Sequence, residues 1–303
     1  MSDAPSGEQI EIASGDQRVV VVEVGGGLRA YTAAGADVLD GYAADAMSDA
    51  GRGQLLAPWP NRLEDGSYEF DGRRHQLPLT EVPNRNAIHG LVRWSAWTVA
   101  ELAPDRVVMA HRLRPQPGYP FTLDLRAEYA LSATGLAVRL SAANAGDAPC
   151  PFGCGMHPYL TLGVAPVDGL ELHVPAATVL QANERSLPTG SAPVAGTDFD
   201  FRAPRAIGAL RLDHCFTGLE RDAAGRATVV LRDTSAGTTR TLWADRAFPY
   251  LMVFSGDTLG DAARRSVAVE PMTCPPNAFR SGADLVRLEP GATWTGTWGI
   301  TPG

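Results

Sequence analysis

The chain has 303 residues, 45% of them hydrophobic and 20% charged, which is a globular composition with length for a large core. A net charge of −8 argues against nucleic acid or an anionic membrane as partner, since both need a basic face. All 26 basic residues are arginine, which excludes lysine chemistry: imine catalysis, pyridoxal phosphate attachment and a phosphate loop ending in Lys-Ser/Thr.

The N-terminal segment is polar and has no apolar signal-peptide core, and no apolar run reaches the ~18 residues of a membrane span. Four cysteines make no dense disulfide framework, so the expected location is the reducing cytoplasm. Residues 1–17 are expected to be loosely held.

In chain order, strands are expected at 18–24, at 28–42 as a strand with a turn, and at 68–77 as a hairpin turning on Asp71-Gly72. Further strands are expected at 93–99 and 106–113. The segment 121–131 alternates most clearly: Phe121, Leu123, Leu125, Ala127, Tyr129 and Leu131 share one face, and Thr122, Asp124, Arg126 and Glu128 the other. The turn 132–135 leads into a second alternating run, Leu136, Val138 and Leu140, completing a hairpin. Later strands are read at 226–233, 240–245, 250–256, 266–270 and 293–300. Helical periodicity is scarce, with short turns of helix expected near 42–51 and 278–285. Many strands without alternating helices indicate an all-β protein, a large antiparallel β-sandwich with few short helices, forming one domain over residues 1–303.

Two motifs are set aside. Gly25, Gly27 and Ala30 match a dinucleotide fingerprint, but a strand and a turn follow where a helix is required. Cys150, Cys154 and His157 lack the second ligand pair and the spacing of a common zinc site, so no metal and no cofactor is expected.

The chemistry concentrates in a few segments. In 266–270, Ser266, Ala268 and Glu270 share a face, leaving room beside the acid, and Pro271 stiffens the backbone after it. The stretch 152–160 repeats the device: Gly153, Gly155 and His157 share a face, Pro158 follows, and the glycines offer a bare strip of backbone beside the imidazole. Trp59, between two prolines, suits the apolar face of a sugar ring, and Asn61-Arg62 follows it with a planar guanidinium for vicinal hydroxyls. His89 precedes a glycine, and Asp213 is placed to accept bonds from hydroxyls.

Together Pro58-Trp59-Pro60-Asn61-Arg62, Gly66-Ser67-Tyr68, Ile88-His89-Gly90, His157-Pro158-Tyr159, Asp213 with Phe216, and Glu270-Pro271-Met272-Thr273 resemble the aldose 1-epimerase (galactose mutarotase-like) family, in that family's order and over most of the chain. The resemblance implies a sugar cleft on one sheet of a supersandwich and interconversion of the α and β anomers of a free aldose. It also implies Glu270 as general base, His157 as general acid, and Arg62, His89, Asp213, Asn61 and Trp59 as residues that bind or polarise a monosaccharide. One rival reading keeps the fold and changes the sugar to a phosphorylated or sulfonated hexose, held by Arg85, Arg93 or Arg280 at the rim. Another is a sugar-binding protein without catalysis. A third is a glycoside hydrolase using Glu270 and Asp213.

Overall fold

The alternation at 121–131 becomes the strand Leu123–Ser132 of a nine-stranded antiparallel sheet in the computed structural model, which describes residues 4–303. Leu123, Leu125, Ala127, Tyr129 and Leu131 are buried, whereas Arg126 and Ser132 are exposed. Successive side chains leave opposite faces of a strand, so this pattern buries one face only. The turn at 132–135 closes the expected hairpin, pairing Ser132 with Gly135 and Leu123 with Asn144. From edge to edge the sheet runs Thr98–Ala103, Arg106–Leu113, Leu123–Ser132, Gly135–Asn144, Thr293–Thr301, Thr238–Ala244, Ala227–Asp233, Glu171–His173 and Arg205–Ala206.

An eight-stranded antiparallel sheet packs against it. Its order is Pro188–Pro193, Ala176–Ala182, Asp213–Leu219, Tyr250–Phe254, Val267–Met272, Gly155–Met156 and Leu55–Leu56, with Tyr159–Leu160 also pairing along Val267–Met272. Leu125, Leu140 and Trp298 of the larger sheet share one core with Met156, Val253 and Val269 of the smaller. Val267 and Val269 therefore fill the sandwich, and Ala268 and Glu270 stand on the sheet's other face. All six residues of Val267–Met272 are nonetheless buried, because loops cover that second face as well.

Some expectations change and others hold. The N-terminal stretch is not loosely held over its described part: Gln9–Ser14 pairs with Gln17–Val22, and Ile10 and Ile12 are buried. Apolar residues at alternate positions give this strand a face to bury, which its polar flanks obscure. Gly25 and Gly26 have positive φ and form the turn into Leu28–Ala33, so the glycine motif is a hairpin. At 93–99, pairing along Thr98–Ala103 begins only at Thr98; Arg93 to Ala96 turn over the end of the sandwich while Trp97 anchors them in the core. A helical turn forms at Ala278–Ser281, and none forms at 42–51. Among the described residues no helix is long and apolar enough to cross a membrane.

Candidate active site

Two antiparallel segments bring His157 and Glu270 together. Gly155 pairs with Met272, Tyr159 with Ala268 and Leu160 with Val267, and the same register sets His157 directly across from Glu270. Hydrogen bonds lock that register on both sides. Cys154 N–H donates to Thr273 Oγ1 and Thr273 N–H to the Cys154 carbonyl (both 2.9 Å), while Val269 N–H donates to the Pro158 carbonyl (3.1 Å). Side chains directly opposite on paired strands are neighbours. Here His157 Nε2 stands 3.3 Å from Glu270 Oε1, with the residues 5% and 2% exposed.

A cavity of about 280 Å³ opens above this pair, lined among others by Asn61, Arg62, His89, Arg93, Trp94 and Asp213. Arg62 and Ile88 face each other across the short pairing of Arg62–Glu64 with Asn86–Ile88, which carries His89 to the cavity wall. The His89 N–H donates to the Asn61 carbonyl (3.0 Å), and Asn61 Oδ1 accepts from the Arg62 N–H (2.9 Å). Both Asn61 (φ 55) and His89 (φ 65) hold left-handed backbone, which is uncommon outside glycine and clusters at functional sites. The Arg62 guanidinium binds both Glu81 oxygens at 3.0 and 3.1 Å, and its Nη1 lies 3.8 Å from Asp213. Asp213 opens the next strand but one from Glu270, at the half-exposed rim.

Burial dominates the electrostatics. Loss of water pushes the Glu270 carboxyl well above the usual carboxylate range; the Asp213 carboxylate adds to this and Arg62 opposes it. Burial also pulls the His157 imidazole down to about 3, with Arg52, Arg93 and Arg62 pushing the same way against its own backbone carbonyl. His89 is driven below its ordinary value by burial and then by His157. Burial thus favours each partner of the central pair in its neutral form. His157 Nδ1, His89 Nδ1 and Glu270 Oε2 are buried and unpartnered. Buried polar atoms are normally hydrogen-bonded, so three orphans around one cavity mark a place built for a polar ligand.

Of the expected site residues, His157, Glu270, Arg62, His89, Asn61 and Asp213 all line this cavity. Trp59 does not. It is 3% exposed and packs against Phe279, 5.6 Å between ring centroids, because flanking prolines turn it into the core. The glycines at 153 and 155 are not a bare strip either. A Cβ at Gly153 would lie 2.5 Å from Cys274 Sγ, and one at Gly155 would meet the Pro271 carbonyl at 2.9 Å, so they admit neighbouring chain rather than ligand. Of the three rim arginines, only Arg93 lines the cavity; Arg85 pairs with Asp65, and Arg280 with Glu64. Trp94, 52% exposed beside Arg93, and Thr258 and Leu259 complete the rim. Thr258 and Leu259 lie in a segment without a motif to mark them, and reading 93–99 as a strand hid the turn that exposes Trp94.

The family model described as aldose 1-epimerase matches residues 8–301. The chain belongs to the aldose 1-epimerase family. Uncharacterized protein YihR of Escherichia coli (strain K12) is 36% identical over 287 residues, 94% of this chain and 90% of that protein. Galactose mutarotase of Homo sapiens is 31% identical over 179 residues, 56% of this chain and 51% of that protein, so the chain matches about half the length of that relative. Among solved structures, the GalM/aldose epimerase homologue from C. elegans superposes with a TM-score of 0.86 at 20% identity, covering 97% of this chain and 98% of that one. Galactose 1-epimerase from Lactobacillus acidophilus superposes with a TM-score of 0.83 at 22% identity, covering 100% and 97%. At such identities these two likenesses show the aldose epimerase fold.

Proposed function

We propose that the protein is a mutarotase that interconverts the α and β anomers of a free aldose, with Glu270 as proton acceptor and His157 as proton donor. The observation that carries this reading is the 3.3 Å approach of His157 Nε2 to Glu270 Oε1 at the floor of the cavity. Mutarotation breaks the bond between C1 and the ring oxygen. The C1 hydroxyl must lose a proton and the ring oxygen must gain one, and both oxygens are bonded to the same carbon. An acid and a base side by side suit that demand.

The central pair holds one proton throughout. With sugar bound in the reactive arrangement, Glu270 is ionised and His157 protonated. Glu270 takes the C1 hydroxyl proton while His157 gives its proton to the ring oxygen, and the ring opens to the aldehyde. The pair then consists of a neutral acid and a neutral imidazole, the forms that burial favours. Burial therefore favours the pair reached by ring opening and opposes the ion pair from which it starts. Rotation about C1–C2 presents the other face, and closure reverses both transfers. Arg62, His89 and Asp213 supply donors and an acceptor for the remaining hydroxyls. The test is anomer exchange of α-glucose and α-galactose, followed by polarimetry. Exchange at the buffer rate with every aldose tried would reject catalysis and leave only sugar binding.

A second reading, an anionic hexose such as a phosphorylated or sulfonated one, is favoured by Arg93. It lines the cavity, is part-buried, and burial lowers its pKa, with no carboxylate among the described residues opposing this. Its guanidinium stands 5.2 Å from the Trp94 ring centroid. A planar cation without a carboxylate partner beside a sugar site suits a tetrahedral anion on the sugar.

A further inference from the structure

Among the described residues, no other residue hydrogen-bonds His157 Nδ1, although a bond from a neighbouring group is the usual means of orienting a catalytic imidazole. Contact replaces it. The Tyr159 ring lies nearly parallel to the imidazole, at 4.9 Å between centroids and 13° between planes, and His89 meets it edge-on at 5.4 Å and 74°. Gly51 closes a further side: a Cβ there would lie 2.6 Å from His157 Cδ2.

Tyr159 is itself fixed from two directions. Its hydroxyl donates to the Ala50 carbonyl (2.8 Å), and Arg52 Cζ stands 4.6 Å from its ring centroid. Arg52 is fully buried and gripped by Asp40 at 2.7 Å and Asp49 at 2.8 Å. Asp40 is held in turn by Arg265 and by the Ser266 hydroxyl, at the foot of the strand that carries Glu270. An ionic network thus clamps the phenol, and the phenol supports the imidazole.

We propose that Tyr159 and Arg52 are positioning residues for His157, a stack that sets the imidazole plane and keeps Nε2 aimed at the reacting oxygens. The proposal rests on the mutarotase reading. Neither side chain transfers a proton. Among the described residues, the charged and titratable groups facing His157 are the stacked Tyr159, Glu270 from the adjacent strand, His89 and Arg62 from the 61–89 wall, Arg93 from the rim and Arg52 from behind the phenol. Removing Arg52 takes away one positive charge that opposes protonation of the pair.

Steady-state anomer exchange across pH tests the idea with whichever aldose the wild-type protein turns over. Tyr159→Leu is expected to lose ~10²-fold in kcat with KM changed less than ~3-fold, the signature of a misplaced proton donor rather than lost sugar contacts. Tyr159→Phe, which keeps the stacked ring, is expected to restore kcat to within ~5-fold of wild type. Arg52→Met is expected to move both limbs of the kcat profile to higher pH, and Arg52→Lys to bring them back. Wild-type kcat in a folded Tyr159→Leu variant overturns the proposal. So does a loss confined to KM, or a Phe variant as impaired as the Leu variant. If Arg52→Met does not fold by circular dichroism, the Tyr159 pair decides alone. An inactive wild-type protein would count against the mutarotase reading, whereas an active one with an indifferent Tyr159 counts against the stack.

Discussion

Glu270 and His157 respond to burial in opposite directions, and this gives each a different pH signature. The folded carboxyl titrates well above the ~4.3 of an unfolded one, so its contribution to stability is full below that pH and is lost as pH rises through the folded value. The imidazole is depressed to about 3 from ~6.5, so its contribution is full above ~6.5 and is lost as pH falls towards about 3. Between these unfolded values the two slopes oppose one another in the wild-type protein. Glu270→Gln leaves the imidazole slope alone, and its melting temperature is expected to drop more steeply than wild type on acidification from pH ~6.5. His157→Asn leaves the carboxyl slope, and its melting temperature is expected to fall as pH rises. Slopes of the same sign in the two variants, measured by thermal melts across pH, would show that burial is not the controlling influence. The same Glu270→Gln protein tests the chemistry. The proton acceptor is gone while shape and volume remain, so kcat for anomer exchange is expected to fall by ~10² to 10⁴-fold with the fold retained. Near-wild-type exchange in polarimetry would remove Glu270 from the mechanism.

The element that sets the imidazole most tightly is the turn at 48–54, and glycine is what lets it approach. Gly51 has a φ of +79° and leaves no space for a Cβ beside His157. Gly51→Ala is expected to cost about 1–2 kcal/mol for left-handed backbone, and to lower kcat by ~10²-fold through displacement of the ring. Gly72 provides the comparison, with a φ of +72° in the 67–76 hairpin and nothing within 4 Å of where a Cβ would stand. Gly72→Ala should show a similar loss in a urea melt and no loss of exchange rate; equal kinetic effects in the two variants would contradict the wedge at Gly51. Nothing in the sequence around Gly51 marked it. Alternation exposed Leu123–Ser132 and Gly135–Asn144, since each has one wet face, and a β-branched run exposed Val267–Met272 even though both its faces are covered. Two- and three-residue strands such as Leu55–Leu56 and Gly155–Met156 are too short to carry a period, and they exist only because a longer neighbour supplies the ladder. The site residues were legible as types beside prolines. Which of them face the cavity depended on packing across the sheet, and that sent Trp59 into the core and brought Arg93 to the rim.

Across the whole molecule, three arginines (52, 62 and 93) surround the central pair in a chain of net charge −8. Arg52 and Arg62 are engaged by carboxylates, whereas Arg93 has no carboxylate partner among the described residues, and the anionic-sugar proposal rests on it. Arg93→Gln is therefore expected to reduce kcat/KM for a hexose 6-phosphate or 6-sulfonate by at least ~10-fold more than for glucose. Equal losses for charged and neutral sugars would assign Arg93 to the general shape of the cavity. The architecture also bears on how the protein unfolds. Thr293–Thr301, the last strand of the chain, lies between Gly135–Asn144 and Thr238–Ala244, and Val267–Met272 lies between Tyr250–Phe254 and the 155–160 segments. Cys150–Phe152 pairs with Val286–Leu288, so strands from the middle and the end of the sequence are interleaved in both sheets and between them. The four-stranded sheet of residues 9–37 is complete in itself, but its Ile10, Val19 and Tyr31 share the core of the sandwich, and any cut between residues 56 and 293 divides a sheet. We propose on this basis that residues 1–303 act as one cooperative domain. Urea unfolding followed by tryptophan fluorescence and by far-ultraviolet circular dichroism is expected to give coincident transitions, both moved to higher urea by a bound sugar, because ligand binding stabilises only the folded state. Two separated transitions, with the sugar shifting only one of them, would divide the chain into independent units.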